Sequence, residues 1–170
     1  MNHAAEEAAH FVRNAVSGAS DEPRGLMDAF YARALEEAYA FCGSKIVNPR
    51  RRCAHQPEFR RLARSGDALT RQVARLVLAH LELERGRKRR LRPLHGSSEL
   101  FNAVSHALGY MLGDRLHQAL LLGRLPKHEV RELFLDPLEE DGEAFLTYMD
   151  LSRRLLEASP RRARTSPRAG

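Results

Sequence analysis

Tryptophan is absent from this chain of 170 residues, aromatic side chains make up only 6% of it, and cysteine occurs twice. Two cysteines, Cys42 and Cys53, are too few for a disulfide framework and fit a reducing compartment. No apolar run approaches the roughly 20 residues that a bilayer span needs, so no membrane helix is expected. The opening MNHAAEEAAH has neither a basic lead nor an apolar core, so it does not read as a secretory signal, and a cytoplasmic location is expected. Also missing are Gly-x-Ser-x-Gly, a glycine-rich phosphate loop and the P-loop lysine pattern, which leaves nucleophilic catalysis without support. Strand-like alternation never runs beyond a few residues.

What the chain has instead is helical periodicity. Hydrophobic residues make up 43%, enough for one domain with a real core. The longest apolar stretch, SSELFNAVSHALGYMLGDRLHQALLLG over 97–123, carries full charges only at Glu99, Asp114 and Arg115. Ser97 or Ser98 can cap its start, and Gly123 before Leu125 and Pro126 supplies a stop. Apolar around most of its circumference, it reads as a helix buried by neighbours on several sides.

The rest of the chain reads as its jacket. Helices are expected at 2–17, with an alanine-rich face, and at 24–42, with Met27, Phe30, Ala34, Ala38 and Phe41 inward and Gly43 as its stop. Residues 44–57, SKIVNPRRRCAHQP, read as a loop because of Pro49 and Pro57, pinned to the core by Ile46 and Val47. A short helix at 58–64 follows, and then one at 68–90 capped by Asp67. Two more are expected at 126–135 and 141–158. The predicted fold is all-α, a compact bundle of about six or seven helices around the 97–123 helix. It forms one domain over 1–158 with a disordered basic tail at 159–170.

Net charge is +6, unevenly laid out. Residues 1–44 hold three arginines against seven acids, 45–92 fifteen basic groups against four acids, and 93–158 six against eleven. The basic middle either meets a polyanion or lies against the acidic flanks of its own fold. Its exposed candidates are Arg50, Arg51 and Arg52 in the loop, Arg60, Arg61 and Arg64 on the short helix, and Arg87, Lys88, Arg89 and Arg90 at the end of the long one. Only Phe59 is aromatic there, which argues against base stacking in the manner of single-strand binders. A helix-turn-helix is conceivable over 58–84, but its second helix starts without a distinctive groove-reading signature.

On the 97–123 helix, His106, Tyr110 and His117 fall within about 40° of one another on the helical wheel, with Asp114 on their flank. Such a strip either lines a pocket or hydrogen-bonds neighbouring helices. Gly109 and Gly113 on the same side would let another backbone come close. A carboxylate-bridged metal pair from Glu7 with His10, Asp114 with His117, and Glu36 or Glu37 of the second helix is disfavoured by geometry, because Glu7 and His10 point away from the alanine face and Asp reaches less far than Glu. Zinc at Cys53, His55 and Cys42 lacks the usual close cysteine spacing; a buried Cys42 and a surface Cys53 account for the residues as well. His80, in the middle of an apolar face, reads as a satisfied core histidine.

The leading expectation is a non-catalytic helical adaptor or regulatory module that binds a protein partner through the arginine-rich surface, with no cofactor, no metal and no membrane. The alternatives are DNA or RNA binding by that same surface, and an enzyme or metal protein centred on His106, Tyr110, Asp114 and His117.

Overall fold

In the computed structural model, which describes residues 25–89, 97–130 and 143–158, every described element is helical. Helix α1 spans Leu26–Val47, α2 Gln56–Leu62, α3 Ala68–Glu84, α4 Ser98–Leu121 and α5 Glu143–Ala158. Residues 127–130 are helical as well, and no strand occurs among the described residues. The all-α compact fold expected from periodicity is what the chain forms. The helices expected at 2–17 and 126–135 and the 159–170 tail fall wholly or largely outside the described residues.

Local chemistry sets the helix ends. Asp67 caps α3 by accepting a hydrogen bond from the Thr70 amide (2.7 Å), and Ser97 caps α4 by accepting one from Leu100 (3.3 Å). Both C-termini close on a left-handed glycine, Gly86 (φ 69°) after α3 and Gly123 (φ 61°) after α4. In each, the next residue's amide reaches back five residues: Arg87 to the Glu82 carbonyl and Arg124 to that of Ala119, both at 2.9 Å. Helix α3 was expected to continue to residue 90; the turn at Gly86 ends it at Glu84.

Helix α1 departs from expectation in the other direction. Gly43 does not stop it, and the helix runs on to Val47. A mid-helix glycine costs only about 1 kcal/mol, less than the packing of so deeply buried a helix supplies. The consequence is that Ile46 and Val47 do not pin a loop to the core. They lie exposed on the last turn of α1.

The centre is a helix pair. Gly113 of α4 lies against Ala38 and Phe41 of α1, and a Cβ added to it would stand 2.3 Å from the Ala38 carbonyl oxygen. One turn earlier, Gly109 faces Ala34 and Glu37. Residue numbers rise together along the contact, so α1 and α4 run parallel and end on the same side of the molecule. Leu108, Leu112 and Leu116 of α4 and Phe30, Ala34, Leu35 and Ala38 of α1 are fully buried. Helix α5 packs against both, α3 packs against α4 and reaches α1 through His80 on Phe30 and Tyr31, and α2 packs against α3.

Polar side chains tie the outer helices to this pair. The Asp28 carboxylate on α1 accepts from the amides of Ala144 (3.0 Å) and Phe145 (3.3 Å), capping α5 from another helix. Buried Glu84 at the end of α3 accepts from Tyr148 Oη (2.7 Å) and from Arg115 Nη1 (3.0 Å), which also donates to Ser152 Oγ (3.0 Å). Three helices therefore meet at one carboxylate. Burial, reinforced by the Glu84 charge, pushes the Tyr31 and Tyr148 hydroxyls well above their usual range, so both stay protonated. His80 is buried, stacked on Phe30 and hydrogen-bonded to Tyr31 Oη at 3.2 Å, the satisfied core histidine its position implied.

Candidate functional site

The polar strip of α4 faces α1 along the parallel seam, one partner per turn. His106 Nε2 lies 3.3 Å from the buried Glu37 carboxylate, which Arg33 approaches at 2.8 Å. Tyr110 stacks on Phe41 with ring centroids 4.7 Å apart. Asp114 forms an ion pair with the buried Lys45 ammonium. His117 comes last, where the helices end. Three of the four are engaged with α1, and His117 is among the residues that line a groove.

That groove, about 640 Å³, opens at the shared C-terminal end of α1 and α4. Its walls come from Tyr39, Cys42 and Ile46 of α1, Pro49 of the loop, and Leu116, Leu120 and Leu121 of α4. His117 is buried beneath, and its Nδ1 finds no hydrogen-bond partner among the described residues. Burial, with the Lys45 charge nearby, pulls its pKa down and keeps the ring neutral. Two of the large aliphatic residues in its lining, Ile46 and Leu121, are each 67% exposed, and exposed Val47 and Leu122 follow them in the chain. Among the described residues, exposed Lys127 is the charged side chain in the lining, and exposed Arg50 follows Pro49 in the chain.

The arginine-rich loop is laid over the seam by one of its own arginines. Arg51 Nη1 donates to Ser44 Oγ at 2.7 Å, and the guanidinium sits 4.8 Å from the Phe41 ring centroid and 5.3 Å from that of Tyr110. Arg51 thus clamps the loop to both central helices, whereas Arg50 and Arg52 remain exposed. The clamp delivers Cys53 and His55 to Asp114. Cys53 Sγ lies 4.0 Å from His55 Nδ1, and His55 Nε2 lies 4.0 Å from Asp114 Oδ2. Cys53, expected at the surface, is instead buried, because the clamped loop presses it onto the helices. Burial pushes its thiol up to about 11 and that of Cys42 to about 12, and both stay protonated at neutral pH.

The other cations divide into two groups. Arg60, Arg61 and Arg64 line a crevice of about 700 Å³ at the α2–α3 turn, and none has an ion-pair partner among the described residues. Arg85 and Arg87 both approach Glu82, at 3.6 and 3.5 Å, and Lys88 and Arg89 are exposed beside them. The 17 residues of α3 separate the groups by its length, about 26 Å. Arg90 lies outside the described residues. Arg71, at the start of α3, donates to the carbonyls of Ser65 (2.7 Å) and Gly66 (3.2 Å), so it closes the turn.

Sequence reasoning passed over Lys45 and the exposure of Ile46, Val47, Leu121 and Leu122. For that exposure a signal existed: apolar residues continue past the end of each buried stretch. No helix among the described residues is long and apolar enough to cross a membrane. No protein-family model, curated protein sequence or solved structure matches the chain.

Proposed function

We infer that the protein is a non-catalytic helical binding module that takes an amphipathic, acidic helix of a partner protein. The observation that carries this reading is the apolar groove where α1 and α4 end together, whose lining includes the exposed aliphatic side chains Ile46 and Leu121. Such a lining is a standing cost in water that a partner's apolar stripe relieves. Charge favours an acidic partner: among the described residues, Lys127 lines the groove and exposed Arg50 follows Pro49 of its wall, and the wider basic surface of Arg52, Arg60, Arg61 and Arg64 adds to the same field. A nucleic-acid reading is less favoured. Among the described residues, the cations of the α2–α3 turn and of the α3 C-terminus form two patches about 26 Å apart by the length of α3, one of them partly satisfied by Glu82.

The test is titration of labelled designed helices that share a leucine stripe and differ only in the charge of the polar face. The acidic helix should bind saturably, and Ile46→Asp or Leu121→Asp should abolish binding without changing the circular-dichroism spectrum. Equal binding of acidic and basic helices, or binding indifferent to those substitutions, overturns the reading. So does tight, steeply salt-dependent binding of a DNA or RNA duplex with none of the helix. Sedimentation showing a dimer that Leu121→Asp dissociates would assign the groove to self-association instead.

A further inference from the structure

We propose that Cys53, His55 and Asp114 form a binding site for one zinc ion. Their three donor atoms, a thiol sulfur, an imidazole nitrogen and a carboxylate oxygen, all lie within 4.8 Å of one another. Tetrahedral zinc with its ordinary bond lengths holds such donors roughly 3.3 to 3.8 Å apart, so the three need to close by about an ångström. Two of them arrive from the loop that Arg51 clamps to α1 and α4, and the third from the middle of α4. The mixed sulfur, nitrogen and oxygen set suits a borderline-soft cation such as zinc better than magnesium or calcium, which take oxygen.

The surroundings fit a bound ion. Lys45 engages Asp114 through Oδ1, which leaves Oδ2 on the His55 side. That ammonium would act as the outer partner that fixes the carboxylate's orientation. His55 is 56% exposed and stands just ahead of α2, so its ring has the freedom to turn one nitrogen onto the ion. On binding, the Cys53 thiol gives its proton to solvent and the thiolate sulfur takes the coordinate bond. With one thiolate, one carboxylate, the Lys45 ammonium and the divalent ion, the site carries a net charge of +1. A fourth position remains on the exposed His55 side for water or an anionic donor.

Cobalt titration of the chelator-treated protein tests the site, because a cobalt–thiolate bond gives a charge-transfer band that nitrogen and oxygen ligands do not. One Co²⁺ per chain should produce that band, and one equivalent of Zn²⁺ should bleach it. Cys53→Ser should remove the band, and Cys42→Ser should leave it intact. His55→Ala, a change at an exposed side chain that the fold tolerates, should raise the cobalt Kd by about 100-fold, the upper end of what loss of even an outer partner costs a metal site. No charge-transfer band, a band that survives Cys53→Ser, or a Kd unmoved by His55→Ala would overturn the proposal.

Discussion

Gly109 of α4 rests on Ala34 of α1 so closely that a Cβ at position 109 would stand 2.6 Å from the Ala34 carbonyl oxygen and 2.5 Å from Glu37 Cβ. The obstacle is largely backbone, which has no rotamer in which to retreat. Gly109→Ala and Gly113→Ala should each destabilise the protein by about 1–3 kcal/mol or more through overpacking. Gly66→Ala, where a Cβ meets nothing within 4 Å, should be near neutral by comparison. Urea unfolding midpoints check this, and a neutral Gly113→Ala would show that the two helices are farther apart.

Glu84 is the hinge of the polar network that joins α3, α4 and α5. Glu84→Leu strands the Arg115 guanidinium in the interior and should cost about 3–5 kcal/mol. Adding Arg115→Met should recover much of that loss, since an apolar pair of similar volume leaves no charge unpaired. A double-mutant cycle of thermal melts measures the coupling; simple additivity would mean the two side chains do not depend on each other.

Stability should fall in mild acid. Burial pushes the His80 pKa down from 6.5 to about 4, against the opposing pull of the Glu84 charge. Between those values the unfolded chain takes up a proton that the folded chain refuses. The stabilisation is therefore complete above the unfolded pKa and is lost as pH drops toward 4, by about 3 kcal/mol for this group alone. His80→Gln, which keeps a hydrogen-bonding partner for Tyr31, should flatten the dependence of unfolding free energy between pH 7 and pH 4.5. An unchanged slope would place the titration elsewhere.

Asp28 caps α5 across the interface. Asp28→Ala should destabilise the protein by about 1 kcal/mol. It should also speed hydrogen exchange at the Ala144 and Phe145 amides more than at amides in the middle of α4. Uniform acceleration over the chain would indicate global rather than local loosening.

The helices were legible because an α-helix announces itself locally. The capping side chains of Asp67 and Ser97, the stop at Gly123, the apolar girth of 97–123 and the four-residue spacing of Gly109 and Gly113 are all written within a few residues of one another. The candidate sites were less legible. Lys45 and Asp114 meet across 69 positions of sequence, and nothing near either residue names the other. Cys53 read as a surface residue because its burial depends on Arg51 finding Phe41 and Tyr110, a contact across two helices. Ile46 and Val47 read as anchors because apolar side chains ordinarily are.

By itself, then, the sequence determined that the chain is helical, where the described helices begin to within about two residues, and that cations gather in its middle. Only the tertiary structure decided that α1 and α4 lie parallel, so that their apolar ends make one groove and their polar edges one seam. Helical periodicity is a property of consecutive residues, whereas the pairing of two helices depends on which distant surfaces interlock, and no local pattern encodes that choice.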